Sequence, residues 1–170
     1  HQQFLRIDEP SLFSTAPEVS AFDVSYDKHY LIAGTQEMNS KILFWEIPSK
    51  TCIKNIKLTN CCSIQNIKFA YDSKHVCAIG VTRDYTQIVY LVDAFRGQIL
   101  GCVNLTHTLP YKLKDIEFFP NSIYKFVTCG VQHMSVWQYS GSLLTFSACA
   151  IENPRELLTF KKIIRDTPLR

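Results

Sequence analysis

The chain is poor in most of the signals that mark a specialised protein. Its 170 residues carry a net charge of only +3, with Lys and Arg scattered. A nucleic-acid binder is expected to concentrate its basic residues in a stripe. The one local basic cluster is the C-terminal "FKKIIRDTPLR", and a solvated face accounts for it. No run of 18 apolar residues exists, so no helix is long and apolar enough to cross a membrane. No secretory leader is visible. There is no C-x-x-C, so zinc-ribbon and thioredoxin-type sites lack their ligand spacing. G-x-S-x-G, the phosphate-binding loop, G-x-G-x-x-G and H-E-x-x-H are also missing. Glycines number only 6 and prolines 7.

What is present is apolar and aromatic. Hydrophobic residues make up 46% of the chain and charged residues 19%, enough to bury a core. The 11 Phe and 8 Tyr, with many Ile and Val, favour strands. The 7 cysteines are odd in number and irregularly spaced, as in a reduced, intracellular protein. Cys77 and Cys129 lie in apolar runs and are expected to be small buried hydrophobes.

The chain repeats itself. "VSAFDVSYDKHYLIAGTQEMNSKILFWEI" from Val19, "SIQNIKFAYDSKHVCAIGVTRDYTQIVYLVD" from Ser63 and "LKDIEFFPNSIYKFVTCGVQHMSVWQY" from Leu113 align. Phe22, Ile67 and Ile116 correspond, as do Val24, Phe69 and Phe118. A polar turn follows each, then an apolar strand ending in Gly34, Gly80 or Gly130. A third strand starts near Ile42, Val89 or Met134 and reaches Trp45, Val92 or Trp137. "TCIKNIKL", "GQILGCVNL" and "SLLTFSACAI" each supply a fourth strand after a short turn. Four short strands recurring about every 45 to 50 residues is the pattern of a β-propeller blade. The nearly continuous apolar runs "LIAG", "VCAIG" and "FVTCG" fit strands covered on both faces.

At "ILFWEI" and "MSVWQY" the sequence resembles the WD-repeat β-propeller family. Trp45 and Trp137 stand where the family's third-strand tryptophan stands, and Gly34, Gly80 and Gly130 match its second-strand glycine. The resemblance covers roughly residues 19 to 151. The family's Gly-His is missing, and Trp-Asp survives only as Trp45-Glu46, Val92-Asp93 and Trp137-Gln138. Less polar bracing and more apolar packing are therefore expected. Phe118 or Phe119, Pro120, Phe126, Val127, Thr128, Gly130, His133 and Trp137 are similar to blades of the echinoderm microtubule-associated protein-like group and of cilia- and flagella-associated WD-repeat proteins.

The expected fold is thus all-β, a partial WD-repeat propeller of about three four-stranded antiparallel blades. The blades are placed at 17–60, 61–108 and 109–152. Residues 1–16 are a linker or the last strand of a preceding blade, and 153–170 a linker or the start of the next. Three blades cannot close a ring, so the chain is expected to be a fragment of a larger propeller.

No convergent nucleophile, base and charge stabiliser is found. No cofactor, metal or catalytic residue is assigned, and the expected activity is non-catalytic. His29 and His75 hold nearly equivalent positions next to a polar turn, as turn or strand residues, and His133 is placed in the turn between the second and third strands. The candidates for partner contact are loop residues: Arg83, Asp84 and Tyr85 in "TRDYT", and His107 and Tyr111 in the long connection 105–112. Asp84 has an alternative role, capping its own turn. The resemblance implies a protein-interaction scaffold at microtubules or the ciliary axoneme, with tubulin or axonemal proteins as partners. The alternative is a propeller subunit of a ribonucleoprotein or RNA-processing assembly, for which Lys54, Lys57, Lys68, Lys74, Arg83, Lys112 and Lys114 are available.

Overall fold

The computed structural model describes residues 17–106, 112–131 and 133–150. Twelve strands form three four-stranded antiparallel sheets, with no helix among the described residues. The first sheet holds β1 (Glu18–Val24), β2 (Tyr30–Gln36), β3 (Lys41–Glu46) and β4 (Thr51–Lys57). The second holds β5 (Ser63–Phe69), β6 (His75–Val81), β7 (Gln87–Asp93) and β8 (Gln98–Asn104). The third holds β9 (Leu113–Phe118), β10 (Lys125–Gly130), β11 (His133–Ser140) and β12 (Leu143–Ala150). Each sheet is a simple meander, its strands adjacent in chain order. This is the all-β, partial-propeller architecture that the repeats imply.

The sheets stack face to face through two cores. Phe44, Ile32 and Ile42 of the first sheet pack against Ile64, Ile67, Phe69 and Val92 of the second. Ile79, Val89 and Leu91 of the second pack against Ile116, Phe118, Phe126 and Trp137 of the third. The middle sheet is covered on both sides, and β7 is buried at all seven positions. Its sequence "QIVYLVD" therefore has no polar alternation to show. The same geometry explains a contrast between matched positions. Ile67 and Ile116 are each 1% exposed because each faces the preceding sheet, whereas Phe22, with no preceding sheet among the described residues, is 67% exposed.

Apolar contact is joined by polar staples of a kind not visible in the sequence. The Asp23 carboxylate accepts the Phe69 N–H at 2.9 Å. Ser20 Oγ accepts the Ile64 N–H and donates to the Gly34 carbonyl, each at 3.3 Å. Asn66 Nδ2 donates to Asp115 Oδ1 at 3.2 Å.

Buried Gln87 is the most complete staple. Its Oε1 accepts the Leu113 N–H at 2.7 Å and its Nε2 donates to the Leu113 carbonyl at 2.9 Å. The amide thus pairs with Leu113 as a neighbouring strand would. Gln87→Ala orphans two buried backbone groups, so a loss of about 1–3 kcal/mol is expected in urea unfolding.

His133 corrects the sequence expectation. It is the first residue of β11, not a turn residue, and is only 5% exposed. A Cβ on Gly130 would come within 2.4 Å of His133 Cε1. The glycine's missing side chain is therefore what admits the imidazole to the strand.

Candidate interaction site

The meander puts alternate connections at opposite ends of the sheets. One end gathers the β2–β3, β4–β5 and β6–β7 connections. These are tied together by backbone bonds: Glu37 N–H to Cys62 O at 3.1 Å, Ser40 N–H to Cys61 O at 2.7 Å, and Cys62 N–H to Val81 O at 2.7 Å. Asn60 N–H donates to Asn39 Oδ1 at 3.2 Å. The result is one continuous loop surface, with an open groove of about 640 Å³ bordered by Met38, Asn39, Asn60, Thr82, Arg83 and Asn104.

The "TRDYT" loop is built by its threonine and aspartate. Thr82 and Thr86 bond reciprocally: Thr82 N–H donates to Thr86 O at 2.9 Å and Thr86 N–H donates to Thr82 Oγ1 at 3.1 Å. Thr82 Oγ1 also donates to the Asp84 carboxylate, and that bond, with backbone amides, holds the Asp84 carboxyl below its ordinary range. Asp84 braces its own loop, the alternative role considered above. Arg83 and Tyr85 are thereby turned outward. Tyr85 is 75% exposed and sits at φ 63°, in the left-handed region that a bulky residue adopts only at a cost. Arg83 reaches across to Met38, itself 71% exposed. His107 and Tyr111 lie outside the described residues.

The structure brings Arg83, Asp84 and Tyr85 together with Met38, Asn39 and Asn60, which sequence reasoning did not single out. One signal was available. Asn39 and Asn60 both have left-handed backbones, at φ 61° and 64°, which asparagine tolerates better than most residues. Gly130 ends β10, whereas Gly34 and Gly80 lie inside β2 and β6, which run on to Gln36 and Val81; all three glycines are buried, and Val92 and Trp137 are fully buried. Trp45 is half-buried on the face of the first sheet that points away from the second.

The rest of the molecule offers little chemistry. Burial pushes the Cys61 and Cys77 thiols up, with the Glu117 charge adding to the effect at Cys77, so neither is a thiolate at neutral pH. Among the described residues no three His, Cys, Asp or Glu side chains gather into a metal-binding group.

His75 Nδ1 lies 2.6 Å from Asp72 Oδ2 at the opposite end of the second sheet. Burial alone would raise the Asp72 carboxyl, but bonds from the His75 ring and from the His75 and Lys74 amides outweigh it, and the net shift is downward. A lowered folded-state pKa contributes stability that is complete above the unfolded value, about 3.9, and is lost as the pH falls through the folded value. Asp72→Asn is therefore expected to destabilise at pH 7, with the difference from wild type closing below about pH 4 in thermal unfolding.

No family model matches the chain, and no curated protein matches it. Solved structures do. One, of a Mitotic Checkpoint Complex, has a TM-score of 0.60 and 18% identity over 80% of this chain and 41% of the other. The Cps50 (Swd1) beta-propeller domain of Myceliophteria thermophila has a TM-score of 0.63 and 8% identity over 86% and 43%. The WD40 repeats of RRP9 have a TM-score of 0.62 and 11% identity over 82% and 40%. At such identities the likeness shows the fold, three consecutive blades of the WD40 propeller type. The chain spans 40–43% of the length of these three solved chains.

Proposed function

We propose that this chain is a non-catalytic interaction scaffold whose loop end docks other proteins. The observation that carries the reading is the pairing of a rigid, stapled frame with exposed Met38 and Arg83 at an open groove and, on the same loop as Arg83, the outward-held Tyr85. Tyrosine and arginine are residue types that anchor interfaces. A photo-crosslinking amino acid placed at Tyr85, and as a control at Tyr71 on the opposite end, tests this in cells. Reproducible protein adducts at position 85 that are missing from position 71 are expected. Absence of protein adducts at 85 would sink the reading.

The finer assignment, to microtubules or the axoneme, is supported by the similarity of the third repeat, from Phe118 through Trp137, to cilia- and microtubule-associated WD-repeat blades. Its test is co-sedimentation with polymerised tubulin together with localisation of the tagged protein. Failure on both counts removes it and leaves the scaffold intact. The ribonucleoprotein alternative has less physical support. Lys54 and Lys57 lie on β4, Lys74 sits at the turn end, and Arg83 and Lys112 are at the loop end, so no single basic track forms among the described residues.

A further inference from the structure

The three sheets repeat one interface, and each of its two halves recurs once more at an end of the stack. The side of a sheet that meets the preceding sheet is built from six matched positions. In the second sheet these hold Ile67, Phe69, Val76, Ala78, Tyr90 and Val92, all 3% exposed or less and packed against the first sheet. In the third they hold Ile116, Phe118, Phe126, Thr128, Ser135 and Trp137, again all 3% exposed or less. Strand pairing places Phe22, Val24, Leu31, Ala33, Leu43 and Trp45 at these positions in the first sheet. Ala33 and Leu43 are buried, but Val24, Leu31 and Trp45 are only half-buried and Phe22 is largely exposed. The other half of the interface is the side that meets the following sheet. Ile32 pairs with Phe44 there in the first sheet and Cys77 with Leu91 in the second, all fully buried. Val127 and Val136 are the matching pair in the third sheet, where Val136 and Met134 remain half-buried.

The polar staple between sheets has matching parts at the same two ends. Ala70 N–H donates to His75 O within its own sheet, so strand alternation turns the Phe69 N–H outward, where Asp23 of the preceding sheet accepts it. Ser25 N–H donates to Tyr30 O in the same way, which turns the Val24 N–H outward at the matching place. Glu117 holds in the third sheet the place that Asp23 holds in the first: Asp23 is paired with Ile32 and Glu117 with Val127.

We propose that the face of the first sheet that bears Phe22 packs on the outer face of the third sheet of a second copy of this chain. The seam continues the stacking already made twice within the chain. Phe22, Val24, Leu31 and Trp45 meet Val127, Met134 and Val136 of the second copy, and the Glu117 carboxylate of that copy accepts the Val24 N–H. Strands about 4.8 Å apart with residues about 3.4 Å apart give a four-stranded, seven-residue face of roughly 440 Å². One seam is short of the roughly 800 Å² per partner of a standard interface, whereas two seams reach it. Two copies therefore join both seams at once, and their six sheets fall within the four to eight that close a ring. The proposal concerns the sheet faces and is independent of the loop end, so adducts at Tyr85 stand or fall separately.

The test is sedimentation velocity of the full chain over a wide concentration range. A dimer is expected. Phe22→Asp should weaken it at least tenfold, because a carboxylate enters an apolar seam, while the unfolding midpoint of the dilute monomer stays at the wild-type value. Val136→Asp should weaken it equally from the other face. Glu117→Lys covers the case in which a charge at position 136 disturbs folding. A photo-crosslinking phenylalanine at position 22, in a mixture of isotope-labelled and unlabelled chains, should give mixed-label adducts on β10 or β11. A monomer at every concentration overturns the proposal. So does a dimer that Phe22→Asp weakens but Val136→Asp and Glu117→Lys leave intact, because its two copies meet through the first sheet alone. Adducts confined to one copy also overturn it, and give this face to another part of the same chain.

Discussion

Trp137→Ala is expected to destabilise the chain by about 3–5 kcal/mol, the usual cost of removing a fully buried large aromatic. Three contributions add. The indole is 0% exposed, so its whole apolar area leaves the core between the second and third sheets. It is stacked on both sides, 5.7 Å from Phe126 at an interplanar angle of 5° and 4.5 Å from Phe146 at 30°. Its Nε1–H donates to Thr128 Oγ1 at 2.9 Å, and truncation leaves that buried hydroxyl without its donor. Trp45→Ala is the matched control. The two tryptophans occupy equivalent places in the repeat, opposite Leu31 and Phe126 respectively. Trp45, however, is only half-buried, and its loss should cost about 1 kcal/mol. Urea unfolding of both variants checks the claim. Equal losses at the two positions would contradict the packing of Trp137 between sheets.

The second large effect is expected from the smallest possible substitution. Gly130→Ala adds one carbon, which would lie 2.3 Å from the Lys112 carbonyl oxygen and 2.4 Å from His133 Cε1. The first of these is backbone and cannot swing aside. The ladder is already irregular there, with a register shift between Cys129 and Gly130. Relief must come from moving β9 away from β10, at a cost of about 3 kcal/mol, the upper part of the range for overpacking. Gly141→Ala serves as the contrast. That glycine has φ 69° and nothing within 4 Å, so only the left-handed penalty applies, about 1 kcal/mol. A Gly130→Ala variant that unfolds at the wild-type midpoint would show that the close approach is not a constraint.

Much of this frame is legible in the sequence because its signals are local. Alternation in "SIQNIKF", the turn residues between strands and the recurrence of Gly34, Gly80 and Gly130 each depend on a few neighbouring residues. What joins one sheet to the next is less legible. Gln87 opens an otherwise apolar strand, and only the approach of Leu113 from the next sheet turns it into a staple. His133 reads as a turn residue because it lies between the apolar runs of the second and third strands. Gly130 serves close packing instead, and the ring enters the space it leaves. The candidate site is intermediate. Arg83, Asp84 and Tyr85 are readable as an exposed loop, but their meeting with Met38 across the surface depends on how the first two sheets stack.

The Gln87–Leu113 joint has one more consequence, for engineering. A side chain that imitates a strand edge works as a plug, and Leu113 offers a socket made only of main chain. The hydrogen bonds of that socket need only a residue with a backbone N–H, while the Leu113 side chain packs separately in the core. The third unit could therefore be exchanged for a foreign one, provided that a backbone N–H and carbonyl return to the same place and that apolar side chains fill the core now filled by Ile116, Phe118, Phe126 and Trp137. The seam is a standard coupling, and new recognition loops could be installed through it without redesigning the part that carries them.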